Sequence, residues 1–193
     1  MGPANILGAM RTTLLRGLAV AGASVAVAVA LATPPAAAQV HGLDIHYVPT
    51  PTEVVSAMLD MAGVKPSDVV YDLGSGDGRI PIEAARQRGA TGVGIELDPA
   101  LVKLAKAGAT QAGVQQRVRF ARADIFKTDL SKATVVTLYL SPTTNLRLRD
   151  KLRRELAPGS RVVSHRFDMG DWTPDEERVV NGIHVFLWTI QPR

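Results

Sequence analysis

The sequence predicts an α/β fold in a single domain: a doubly wound, largely parallel sheet that ends in an antiparallel hairpin. Three observations point there. From residue 50 onward, short apolar runs alternate with helical patterns, as in successive strand–helix–strand units. A glycine-rich turn joins the first apolar run to the helix after it. Asn181-Gly182, the strongest two-residue hairpin signal, separates the last two runs.

The elements follow in order. Thr50-Pro51-Thr52 reads as the cap of a helix carrying Val54, Val55, Met58 and Leu59 and ended by Gly63. A strand over Asp68–Leu73 leads through the glycine turn into a helix from Arg79 to Arg88. Gly92–Glu96 is the second strand, and Asp98-Pro99 supplies an N-cap and first-turn proline for a helix ending near Gly113. Val118–Ala123 and Thr134–Leu140 are strands three and four. Asn145–Leu156 is a helix with Leu148, Leu152 and Leu156 in one apolar stripe, and Arg161–Ser164 is strand five. Arg178–Val180 and Ile183–Ile190 form the hairpin.

The first forty residues are of different composition. Gly17–Ala32 is an uncharged, alanine-rich stretch of 16 residues, preceded by Arg11 and Arg16 and followed by Pro34-Pro35 and Ala36-Ala37-Ala38. A positive flank, an apolar run and a small-residue site form the pattern of a secretory signal peptide, with cleavage after Ala38. An uncleaved membrane anchor is the competing reading, although a spanning helix needs about 20 apolar residues. Residues 1–38 are therefore a signal peptide or anchor, and 39–193 the functional domain, exported or membrane-anchored.

Composition excludes several chemistries. With no cysteine there is no disulfide, thiolate metal site or cysteine nucleophile. His41, His46 and His184 make no metal-ligand spacing, and no metal is expected. Of 22 basic residues two lie in the first forty, where none of the 18 acidic ones does, so the rest of the chain carries only +2. No basic–aromatic interleaving accompanies it, and no nucleic-acid partner is expected. The arginines of the Asn145–Leu156 helix alternate with Asp150 and Glu155 and read as a solvated face.

The turn Asp72-Leu73-Gly74-Ser75-Gly76-Asp77-Gly78 is neither a dinucleotide loop, whose third glycine comes one residue later, nor a phosphate loop. Its two acids disfavour a pyrophosphate and favour a ligand with positive charge. S-adenosylmethionine, with an ammonium and a sulfonium and no phosphate, fits. Asp72 is the candidate for the ammonium, with backbone amides of Gly74, Ser75, Gly76, Asp77 and Gly78 around the carboxylate. Glu96, 18 residues after Gly78 and followed by Leu97, stands where an acid accepts ribose hydroxyls. Asp124, at the end of strand three, faces the adenine amino group, with Ile125 against the ring. Asp98 reads as the helix N-cap rather than a ligand.

These motifs resemble the class I S-adenosylmethionine-dependent methyltransferases over about Tyr47 to Arg193. The resemblance implies a Rossmann-like seven-stranded sheet whose last strand alone is antiparallel. Tyr47-Val48-Pro49-Thr50-Pro51, Asp72–Ile80 and Val162–Phe167 with Trp172 and Pro174 resemble, more narrowly, the small protein-lysine methyltransferases of mitochondria that modify the ATP synthase c-subunit or the adenine nucleotide translocase, and their bacterial relatives. This implies a protein lysine as acceptor and membrane association through an apolar N-terminal segment, here residues 17–32. A small-molecule acceptor such as a quinone or lipid precursor, and a non-catalytic exported binding module, stay open beside it. The module is motivated by a conflict, since the cofactor is made in the cytoplasm.

The acceptor is expected past the carboxyl ends of the strands. After strand four stands Tyr139-Leu140-Ser141-Pro142 rather than the Asn/Asp-Pro-Pro-Tyr/Phe of enzymes acting on planar nitrogens. Tyr139 and Ser141 are the catalytic candidates; Tyr47, Thr50, His165 and Phe167 are candidates for the substrate channel.

Overall fold

The computed structural model describes residues 47–192. The signal peptide or anchor assigned to residues 1–38, and its boundary with the domain, lie outside the described residues. Among the described residues no helix is long and apolar enough to cross a membrane.

The order of elements is α1 (Thr52–Met61), β1 (Val69–Leu73), α2 (Arg79–Arg88), β2 (Thr91–Glu96), α3 (Pro99–Gln111), β3 (Val118–Arg122), β4 (Val135–Leu138), α4 (Pro142–Glu155), β5 (Arg161–His165), β6 (Glu176–Val180) and β7 (Ile183–Thr189). The strands form one seven-stranded sheet in the order β3-β2-β1-β4-β5-β7-β6. Neighbours from β3 to β5 are parallel, and β7 runs antiparallel to both β5 and β6. The hairpin turn is as expected, with Asn181 at φ 51° and Gly182 at φ 77°, the two positive values a type I′ turn needs. Strand order reverses between β1 and β4, and the crevice at the carboxyl ends of these two strands is where open α/β sheets bind ligands.

Strand residues alternate between two buried faces. Val70, Val135, Val163 and Val185 pack under α1 and α2, while Leu73, Val136, Leu138, Val162 and Trp188 pack under α4. A third cluster, with Val102, Ala105 and Phe120, seats α3 against β3. Because both faces are covered, the central strands are almost wholly apolar, and a polar residue inside them stands out. Asp72 and Thr137 do, both buried and side by side in the β1–β4 register, as do Ser164 and His165 at the end of β5.

Three elements differ from the sequence expectation. Thr50 does not cap α1. Pro51 occupies the N-cap without a side-chain bond, its carbonyl accepting from Val55, and the Thr50 hydroxyl turns elsewhere. Helix α4 begins at Pro142, three residues before the expected start, because Ser141 caps it by accepting from the Thr144 amide and Pro142 fills the first turn. Strand β4 therefore stops at Leu138, which frees Tyr139 and Leu140 from the ladder.

The α4 stripe gives a direct test of the packing. Leu148 and Leu152 are fully buried, whereas Leu146 on the same helix is 45% exposed. Leu152→Ala should cost about 2–5 kcal/mol in urea unfolding, the range for buried leucines. Leu146→Ala should stay within about 0.5 kcal/mol. Equal losses for the two variants would mean that α4 does not dock on the sheet this way.

Candidate cofactor and acceptor site

The turn after β1 is pinned to the end of β2 by its own backbone. The amides of Gly74 and Ser75 both donate to the Ile95 carbonyl, at 2.9 and 3.0 Å, and the Gly78 amide donates to the Ser75 carbonyl at 2.8 Å. Glu96 completes the clasp. One carboxylate oxygen accepts from the Gly76 amide at 2.9 Å, and the other accepts from the amides of Leu97 and Asp98 at 2.7 and 3.0 Å. Two glycines are required by packing. Gly76 lies at φ 52° with the Tyr47 ring 2.2 Å from where a Cβ would sit, and Gly78 lies at φ 78° with Phe120 at 2.5 Å. Their need for small size comes from the protein behind the turn. The third, Gly74, lies under Leu140.

Asp72 closes the floor. It is 3% exposed, and its carboxylate accepts from the Thr137 hydroxyl at 2.7 Å. Burial pushes its carboxyl up to about 7; the Thr137 hydrogen bond opposes this, and the negative charges of Asp77 and Glu96 add to it. Among the described residues no cation acts on it, and a positively charged group placed beside it would be strongly favoured.

Asp77 is committed differently. Arg79, the first residue of α2, donates to it from its backbone amide at 3.2 Å and from its guanidinium at 2.6–3.1 Å. Arg79 holds the Asp77 carboxyl below the usual carboxylate range despite burial. Its charge is answered inside the protein, which corrects its assignment as a second counter-charge for a cationic ligand. Ser75 is likewise turned inward. Its side chain is buried against Gly94 of β2 and its hydroxyl has no hydrogen-bond partner among the described residues. The amides of Gly74, Ser75, Gly76 and Gly78 are all taken up within the protein, which corrects the expectation that they surround the ligand carboxylate.

The remaining cofactor candidates line the open end. Leu97 is 45% exposed beyond β2. Asp124 accepts from the Phe126 amide at 2.9 Å, shaping the loop after β3, and Ile125 packs half-buried on the core beneath. Asp98 caps α3 by accepting from the Ala100 amide at 2.7 Å, as expected.

A segment before α1 bridges this turn and the ends of β4 and β5. Tyr47 covers Gly76, and burial together with the neighbouring Asp77 carboxylate pushes its hydroxyl up to about 12. The Thr50 carbonyl accepts from Arg79 at 2.9 Å, and its hydroxyl lies 3.1 Å from Nδ1 of His165. His165 is 2% exposed and stacks on Tyr139 with ring centroids 3.7 Å apart; Phe167 lies 6.5 Å from Tyr139. Burial, reinforced by Arg166, lowers the His165 imidazole to about 4, so the ring is neutral at physiological pH. Tyr139, His165, Phe167 and Thr50 are thus gathered in one place. Ser141, the other catalytic candidate, is used differently: its hydroxyl is exposed, faces Thr144 and caps α4. Sequence reasoning missed Arg79 as the link, and its only signal was a cation two residues after an acid.

The residues fit S-adenosylmethionine: a buried carboxylate, an acid at the end of β2 and a shaped loop after β3 stand at the carboxyl ends of the adjacent parallel strands β1, β2 and β3. Comparison with known proteins agrees. A family model, the ANTKMT methyltransferase domain, matches residues 72–176. A protein-lysine N-methyltransferase of Saccharolobus islandicus is 44% identical over 133 residues, 68% of this chain and 83% of the relative. The human lysine N-methyltransferase of the ATP synthase c-subunit is 38% identical over 162 residues, 84% of this chain and 68% of the relative. Among solved structures, one described as an RNA methyltransferase from Salinibacter ruber in complex with S-adenosyl-L-homocysteine is 55% identical, covering 76% of this chain and 95% of that one at a TM-score of 0.75. A buried acid beside a pinned glycine turn, on a sheet of this order, thus has the sequence relatives its chemistry calls for, and the chain belongs to the ANTKMT methyltransferase domain family, as an S-adenosylmethionine-dependent methyltransferase.

Proposed function

We propose that this methyltransferase acts on a lysine side chain of a protein. The observation that carries the reading is the aromatic wall of Tyr139, His165 and Phe167 beside the cofactor turn, in which the buried imidazole is itself neutral. The names of the Saccharolobus and human relatives support the same acceptor class. Bound S-adenosylmethionine supplies an electrophilic methyl group. For transfer, the lysine nitrogen must lose its proton and its water. A neutral His165 neither repels the incoming ammonium nor anchors it as a salt bridge, and the apolar rings strip water from the lysine stem, a desolvation that lowers its pKa and favours the neutral amine. Positioning of the nitrogen in line with the methyl group then does most of the work.

The Salinibacter protein's description as an RNA methyltransferase favours a second acceptor, and a small molecule is a third. One experiment separates them. The enzyme is incubated with methyl-labelled cofactor and, separately, a membrane-containing protein extract, total RNA and a metabolite extract. Label on protein lysine is the expected result; label confined to RNA or to small molecules rejects the lysine reading.

Asp72 gives a pH signature for the cofactor. Its carboxyl stands near 7 in the free protein, and a cationic ligand draws it down, so binding releases a proton as pH falls below that value. Affinity for S-adenosylmethionine should drop about tenfold per pH unit below 7 and level off above it. In the free protein the sign is opposite. A raised carboxyl contributes its stability at low pH and loses it as pH rises toward 7, so Asp72→Asn should raise the melting temperature at pH 8. The same variant should weaken binding and remove the pH slope in calorimetry. An unchanged slope in Asp72→Asn would take the ammonium contact away from this residue.

For residues 1–38 we propose the role read from sequence, a signal peptide or anchor that brings the domain to a membrane. N-terminal mapping with cell fractionation tests it: a start at Gln39 indicates cleavage, an intact membrane-bound chain an anchor, and an intact soluble chain rejects both.

A further inference from the structure

The wall that faces the acceptor rests on a strained turn. Strand β5 ends at His165, and the next residue, Arg166, has φ 74°. The Phe167 amide donates back to the His165 carbonyl at 3.0 Å, closing a three-residue turn of the rarer, strained kind. Such a conformation persists for a non-glycine residue only where surrounding contacts hold it. One contact is the Arg166 amide, which donates to the His184 carbonyl at 2.7 Å. The other is Asn145, in the second turn of α4.

Asn145 is 0% exposed. Its amide nitrogen donates to the Ser164 hydroxyl and the Phe167 carbonyl, each at 3.0 Å, and lies 3.3 Å from the Asp168 carbonyl. Ser164, also buried, donates to the same Phe167 carbonyl at 2.6 Å. These acceptors fix the orientation of the amide. They leave its Oδ1 buried without a partner among the described residues, at a cost a leucine of similar volume would avoid. A leucine, however, could not donate to the turn. Fold stability alone does not ask for asparagine here, whereas the turn does.

We propose that Asn145 is a positioning residue for methyl transfer: with Ser164 it clamps the turn at Arg166 and so sets His165 and Phe167 against Tyr139 at the acceptor site. The inference rests on the reading that the acceptor enters past β4 and β5. It extends that reading to a buried residue that touches neither ligand.

The test compares wild type, Asn145→Leu and Ser164→Ala, all full-length. S-adenosyl-L-homocysteine affinity is measured by calorimetry, methyl transfer by labelled cofactor with polylysine as the probe acceptor, and the His165 ring by NMR of protein with nitrogen-labelled histidine. Both variants are expected to keep cofactor-product affinity within about twofold. In Asn145→Leu, kcat on polylysine should fall about tenfold to a hundredfold, as for a misplaced wall, with the KM for S-adenosylmethionine unchanged. Its His165 resonance should shift, and Ser164→Ala should show smaller changes of the same kind. Wild-type kcat and an unmoved His165 resonance in a folded Asn145→Leu overturn the proposal. If that variant does not fold, Ser164→Ala decides by the same two readouts. If wild type leaves polylysine unmethylated, that counts against the lysine reading, and the His165 resonance alone decides the role of Asn145.

Discussion

The turn between β1 and α2 is the constraint on which the site depends. Its amides are taken up by Ile95 and Glu96 at the end of β2, and its back is closed by Phe120, which leaves no space for a side chain at Gly78. A turn held this firmly cannot drift to relieve the charge it encloses. Asp72 therefore stays buried at the strand end, and Arg79, the first helical residue, is aimed back at Asp77 and at Thr50. The approach of the segment before α1, and through it the setting of His165, follows from where Arg79 stands.

Electrostatics then separates acids that look equivalent in the sequence. Glu96 is satisfied by three backbone amides, Asp77 by a guanidinium, and Asp98 and Asp124 by the amides of the turns they cap. Asp72 has, among the described residues, one hydroxyl and no positive partner. A carboxylate that costs stability in the free protein is worth keeping where a ligand repays it, and a sulfonium cofactor with an ammonium group is such a ligand. Selection for a cation over a pyrophosphate thus falls mainly on one residue, although the sequence suggested a shared duty between Asp72 and Asp77.

Much of this was legible in advance because it is local. Alternating apolar runs, the Asn181-Gly182 turn and the Asp98-Pro99 cap depend on neighbours a few residues away, whereas the seven-stranded sheet was expected only from the family resemblance. The glycine turn and the acids at strand ends were legible for the same reason. What was not legible is held by long-range bonds. Thr50 looks like a cap from its neighbours, yet its hydroxyl meets His165, 115 positions later. Ser141 looked like a reactive hydroxyl beside Tyr139, yet Pro142 behind it makes it the cap of α4. Asn145 reads as an ordinary polar residue near a helix start, and only the fold brings it beneath the Phe167 carbonyl.

Cofactor side and acceptor side are joined through Thr50. Its carbonyl accepts from Arg79, which braces the glycine turn, and its hydroxyl meets the imidazole that stacks on Tyr139. Methyl transfer needs the two reactants aligned to within a fraction of an ångström, and two walls set independently would add their errors. A single backbone segment tied to both walls makes their separation one quantity rather than two. Pro49 and Pro51 on either side of Thr50 restrict the backbone to extended conformations, so the bridge has little slack of its own. The short Tyr47–Pro51 segment, which reads as a mere helix entry, thus ties the glycine turn to the end of β5.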